Sequence, residues 1–189
     1  MAVTLGARPQ ADFQQPLGLL SDCHRRIEHF LGVMIRVVDR RQGGPLDEEH
    51  RRAVETAMHY FDHAAPRHTA DEEESLFPRL RELARTNPQL GQALAKMDAL
   101  EADHQAADDA HAEVREWFTR WLNAGSLAPA QVQRLSKVLN LLQDLYRRHI
   151  DVEDNDVFRL AAQVLDERQL RQLGQEMAGR RGLSATPQA

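Results

Sequence analysis

The chain has 189 residues, 42% of them hydrophobic, and a formal net charge of −5 with the histidines neutral. Acidic and basic residues are interspersed, so no basic face marks a nucleic-acid binder, and no apolar run approaches the roughly 20 residues of a membrane span. Aromatic residues make up only 5% while Ala, Leu, Arg and Glu abound, a balance that favours an all-α protein. The single cysteine, Cys23, excludes an internal disulfide and fits a cytoplasmic setting.

The opening stretch MAVTLGARPQADFQQP lacks the apolar core of a secretory signal, and residues 1–16 read as a flexible leader. Pro16 opens a first helix whose apolar positions Leu20, Cys23, Ile27, Leu31, Met34 and Val38 recur at helical period. RQGGP at 41–45 breaks it. A second helix from near Leu46 carries Val54, Ala57, Met58, Phe61, Ala65, Leu76, Leu80 and Leu83, with Pro66 and Pro78 read as kinks in one long segment. The stretch TNP at 86–88 places Asn87 as N-cap and Pro88 at the first position of a third helix. That helix carries Leu90, Leu94, Met97, Val114, Phe118 and Trp121, and NAGSLAP at 123–129 ends it. The fourth helix runs through Leu135, Leu142, Tyr146, Val157 and Leu160. A weaker segment capped by Asp166 follows, with Leu170 and Leu173 available to pack on the bundle or to form a homodimer contact.

Long helices on short connections predict an up-down-up-down four-helix bundle over residues 17–162. A short extra C-terminal helix is expected at 163–179, and a disordered tail at 180–189.

Four of the nine histidines interrupt the apolar stripes. Residues three, four or seven apart share a helix face. His24 lies between Leu20 and Ile27, His68 follows Ala65, His104 lies in line with Met97 and Ala107, and His149 follows Tyr146. Two of these histidines are followed one turn later by a glutamate on the same face, in HTADE at 68–72 and HIDVE at 149–153. At about 1.5 Å per residue, His68 and His104 each stand about 18 residues from the turn near residue 86. His104 and His149 stand about 22 and 23 residues from the turn near 126. Antiparallel neighbours therefore bring these groups to one level. Buried carboxylates without partners cost several kcal/mol each. A pair of metal ions offsets that cost directly, with imidazoles as terminal nitrogen ligands and carboxylates able to bridge two cations. A purely structural polar network is the alternative.

HTADEEESLFPRL, HIDVEDNDVF, the inward His24 and EADH at 101–104 together resemble the hemerythrin-like (HHE cation-binding) domain of the bacterial type, over roughly residues 17–162. The resemblance implies a non-haem di-iron centre. His24, His68, His104 and His149 would be terminal ligands, and Glu72 and Glu153 bridging carboxylates. The oxygen-carrying members have H-x-x-x-H on the third helix. Here Asp108 takes the second slot, which speaks against simple reversible oxygen carriage and toward members associated with nitric oxide, oxidative stress, iron–sulfur repair or redox sensing. The implied small ligand is O2 or NO, and an iron- or redox-sensing module without turnover is the competing reading. No residue is assigned as catalytic. Glu28, Asp108 and His111 are candidates for contacting the ligating imidazoles, and Leu20, Ile27, Phe61 and Leu142 for walling a dry pocket. Glu73 and Glu74 are expected to face solvent or a neighbouring helix. His29, His50, His59 and His63 are expected at the surface.

Overall fold

The computed structural model describes residues 11–87 and 90–183, and these form only helices and turns. The elements are α1 (Pro16–Arg41), α2 (Glu48–His63), α3 (Ala65–Asp71), a π turn at Glu72–Leu76, α4 (Phe77–Ala84), α5 (Gly91–Ala124), α6 (Pro129–Val152), a second π turn at Glu153–Val157, α7 (Phe158–Val164) and α8 (Glu167–Gly179). Read through their interruptions they make five rods. Four of them form the bundle, with α1 beside the α2–α4 rod and α6, and α5 beside α6 and the α2–α4 rod. The fifth, α8, lies across α1, α3 and the first π turn.

Helix ends follow local chemistry. Pro16 supplies the preset φ and missing donor suited to a first helical position. Gln42 ends α1 in the left-handed region (φ 45°), and Gly43 follows at φ 78°. A Cβ on Gly43 would lie 2.6 Å from the Leu127 carbonyl oxygen, so this corner requires glycine on two counts. The Trp121 indole donates to the Gly44 carbonyl at 3.0 Å and ties the same corner to α5. Asp47 caps α2 through the His50 amide, and Gly125 at φ 76° closes α5. Asp166 and Gln169 form a reciprocal capping box at the start of α8, the start predicted from sequence. α5 runs from Gly91 with Leu90 as its N-cap, and the expected start at Pro88 lies outside the described residues. Pro66 falls in the first turn of α3, just after the break at Ala64. Pro78 follows the π turn, whose wider winding relieves the clash of a proline ring with the carbonyl one turn back.

The core divides into two hydrophobic clusters. One joins Ile27, Met34, Phe61, Phe118, Trp121, Leu135 and Leu142. The other joins Leu20, Leu76, Phe77, Met97, Phe158, Leu173 and Met177. On every rod of the bundle, the inward histidine lies where one cluster gives way to the other. Leu173 is fully buried against the second cluster, so α8 uses its apolar face on its own bundle. Contacts also reach residues before α1 and after α8. Ala11 donates its N–H to buried Asp22, and Arg180 and Arg181, just after α8, make ion pairs with Asp71. Among the described residues, no helix is long and apolar enough to cross a membrane.

Candidate metal centre

Both histidine–glutamate motifs end an α-helical stretch and open a π turn. Glu72 and Glu153 are the first residues of those turns, and the amides of Phe77 and Phe158 donate to their carbonyls five residues back. The spellings EEESLF and EDNDVF thus yield one local structure twice. Such widened turns recur at functional sites because they rotate a side chain off the regular helical phase.

All six sequence-predicted positions converge. His24, His68, His149, Glu72 and Glu153 are at most 3% exposed, and His104 is 7% exposed. The imidazoles form two pairs, His24 with His68 at 4.9 Å between ring centroids and His104 with His149 at 4.6 Å. The carboxylates stand between the pairs. Glu72 Oε1 lies 3.4 Å from His68 Nε2 and 3.8 Å from His24 Nε2, while its Oε2 lies 3.5 Å from His104 Nε2. Glu153 Oε2 lies 2.9 Å from His24 Nε2 and 3.2 Å from His149 Nε2. Two groups of ligand atoms are close enough to hold an ion each: His24, His68, Glu72 and Glu153, and His104, His149 and Glu153.

The donor set fits a cation on two grounds. First, among the described residues, five of the nine buried side-chain polar atoms without a hydrogen bond face the centre: His24 Nε2 and both oxygens of both glutamates. Buried polar atoms are otherwise almost always satisfied, so the orphaned atoms are concentrated where a metal would complete them. Second, burial and the neighbouring Glu153 charge push the Glu72 carboxyl well above its usual range. Burial acts on Glu153 in the same sense, but His149 and His24 outweigh it and hold that carboxyl well below. Two carboxylates in this enclosure carry full charge together only when cations share it. Burial opposes charge on His24, but Asp154 and the two glutamates outweigh it and raise its pKa. Burial, reinforced by His24, lowers that of His68.

The side chains that orient the imidazoles differ from the expected ones. Asp154 Oδ1 lies 3.1 Å from His24 Nδ1 and also accepts from the Ser21 hydroxyl at 2.6 Å. Glu73 Oε1 lies 2.7 Å from His104 Nδ1, whereas Asp103 Oδ2, 3.5 Å from His149 Nδ1, is near it without a hydrogen bond. A carboxylate on Nδ1 fixes the ring and leaves Nε2 facing inward. Glu73 and Asp154 each immediately follow a motif glutamate, a signal the sequence contains but that helical phase alone assigns to solvent. Glu28, by contrast, is exposed and contacts none of the imidazoles among the described residues. Asp108 is exposed at the rim of a cavity and His111 lines it.

That cavity, about 180 Å³, opens from the four histidines past Ile27, Phe61 and Ile150 to the hydrogen-bonded pair His111 and Tyr146, 2.9 Å apart. Arg115 and Asp62, paired at 2.5 Å, stand at its outer end. Of the expected walls, Ile27 and Phe61 line it, whereas Leu20 and Leu142 sit in the two hydrophobic clusters away from it. The remaining histidines are peripheral. His59 and His63 are exposed, His50 is bound to Asp47, and His29 is half-buried beside Phe30. Cys23 is buried as a free thiol, and burial raises its pKa.

A family model described as the hemerythrin HHE cation binding domain matches residues 15–161 of this chain. An uncharacterized protein of Haemophilus influenzae is 27% identical over 173 residues, which cover 90% of this chain and 92% of the relative.

Proposed function

The chain belongs to the hemerythrin HHE cation-binding family, and on that premise we propose that its cation site is a di-iron centre that takes a small diatomic, O2 or NO, in an oxygen, nitric oxide or redox response. His24 and His68 would serve one iron, His104 and His149 the other, with Glu72 and Glu153 bridging. The observation that carries this reading is the placement of each carboxylate against a histidine of both pairs. When bound, an iron pair supplies electrons and an open coordination position.

The chain's own residues supply the remainder. Asp154 and Glu73 hold the Nδ1 atoms of His24 and His104, which keeps both Nε2 lone pairs directed inward. Ile27, Phe61, Ala65, Ala107 and Ile150 give the cavity an apolar wall that disfavours water. The Tyr146 and His111 pair offers hydrogen bonding farther along the cavity. A cytoplasmic location accords with a lone, buried, free cysteine.

A second reading, an iron- or redox-sensing module without turnover, is favoured by the ion pairs of Arg180 and Arg181, just after α8, with Asp71, the residue before Glu72.

Metal analysis with optical spectra of anaerobically purified protein tests the proposal. We expect about two irons per chain and charge-transfer bands that change on exposure to O2 or NO. Metal-free protein of unchanged stability after iron reconstitution would overturn it. Turnover of NO or peroxide far above that of free iron would separate an enzyme from a sensor.

A further inference from the structure

The Glu72 carboxylate has no hydrogen-bond partner of its own, so the backbone of its π turn sets its direction. That turn is held from outside by the end of α8. Asp71, the residue before Glu72, is fully buried and accepts from Arg180 Nη1 at 3.0 Å and from Arg181 Nη2 at 2.7 Å. Arg180 also donates to the buried Ser75 hydroxyl at 2.7 Å and pairs with Glu74 at 3.3 Å, so one guanidinium contacts residues on both sides of Glu72. Arg79 extends the attachment, donating to the Ser75 carbonyl at 2.7 Å and binding Glu176 through two hydrogen bonds. Among the described residues, α8 holds no such grip on the π turn of Glu153. Its flanking Asp154 turns to Ser21 and His24, and its exposed Asp156 to Lys96.

We infer that Arg180 and Arg181 are positioning residues for the cation site: they hold the Glu72 turn in its ligating form and so couple cation binding to the docking of the C-terminal helix. This rests on the reading of Glu72 as a ligand. A buried carboxylate satisfied by two guanidinium groups is a discrete arrangement, either made or broken, rather than a continuously adjustable one. Coupling of binding free energies is reciprocal. If seating α8 improves the site, a cation in the site must hold α8 more firmly. The coupling gives the occupancy of a buried centre an effect at the surface of the molecule.

The test uses the full-length chain, with Fe(II) affinity measured by anaerobic chelator competition and amide hydrogen exchange followed across α8. Substituting both Arg180→Gln and Arg181→Gln is expected to weaken Fe(II) binding about 10-fold or more, in the range found when groups supporting a metal ligand are removed. Arg171→Gln, on the exposed face of the same helix, is expected to leave binding unchanged. In the parent chain, α8 amides are expected to exchange more slowly with Fe(II) than after chelation, and in the double variant this difference is lost. Because the double substitution strands a buried carboxylate, a triple variant that adds Asp71→Asn removes that charge. It is expected to regain parental thermal stability while its iron affinity stays below the parent's. Parental iron affinity in the folded double or triple variant, or α8 exchange that ignores iron in the parent, would overturn the inference. Retention of both irons by Glu72→Ala would instead overturn the ligand assignment beneath it.

Discussion

Glu153 Oε2 on the fourth rod lies 2.9 Å from His24 Nε2 on the first, although Glu153 is spaced in sequence to accompany His149. Each H-x-x-x-E motif therefore supplies its glutamate to a histidine of the other pair as well as to its own. Glu72 does the same with His104. Two motifs that could each form an independent site are joined into one centre by this crossing.

If the site holds the proposed iron pair, Glu153→Ala is expected to lower iron occupancy from about two to one or fewer per chain, because the side chain faces both histidine pairs and would be shared by both ions. His59→Ala, at the exposed surface, is expected to keep the full complement. Metal content of the two variants after identical reconstitution decides the point. Equal retention would contradict the assignment.

Asp154→Asn and Glu73→Gln should each weaken cation binding by about 10- to 100-fold without unfolding the chain, since a ring held by a carboxylate on Nδ1 is both better oriented and a stronger donor at Nε2. Glu28→Gln should have no effect, being exposed. Chelator titrations of the three variants, alongside their thermal midpoints, distinguish orientation of a ligand from general destabilisation.

Burial, with the charge of Arg115, holds the His111 imidazole down to about 4. In the unfolded chain the value is about 6.5. Between these limits the unfolded chain binds the proton and the folded chain does not. The contribution is thus fully present above pH 6.5 and is lost progressively as pH falls toward 4. His111→Gln, which cannot take up that proton, is expected to lose about 2 kcal/mol less stability than the parent between pH 7 and pH 4.5. Urea unfolding of the metal-free proteins at the two pH values measures this, and equal losses in both would contradict it.

A Cβ on Gly174 would lie 1.9 Å from the Phe13 carbonyl oxygen. The close approach seats the segment before α1 on α8. Gly174→Ala should cost about 1–3 kcal/mol, the range for overpacking a filled contact, with the loss appearing as faster amide exchange in residues 11–15 and in α8. A thermal midpoint equal to the parent's would show that the contact yields freely.

Several features of the molecule were open to reading in the chain itself. The bundle and the inward faces of His24, His68, His104 and His149 follow from a 100° step per residue, a rule that acts within each helix, and the capped start of α8 from the Asp166 side chain, which accepts an otherwise unpaired amide. The common height of the four histidines follows from short connections and a fixed rise. The sequence by itself therefore determined which histidines enter the core and at what level.

It did not determine what those groups meet. Glu73 and Asp154 lie one residue off the buried stripe, and whether such a residue reaches water or an imidazole depends on the separation and rotation of neighbouring helices. Those are settled by side-chain packing across the whole bundle. The crossing of Glu153 to His24, the π turns that direct both glutamates, and the grip of Arg180 and Arg181 on Asp71 belong to that level. They are contacts between segments far apart in the chain, which helical periodicity cannot encode and only the packed tertiary structure decides.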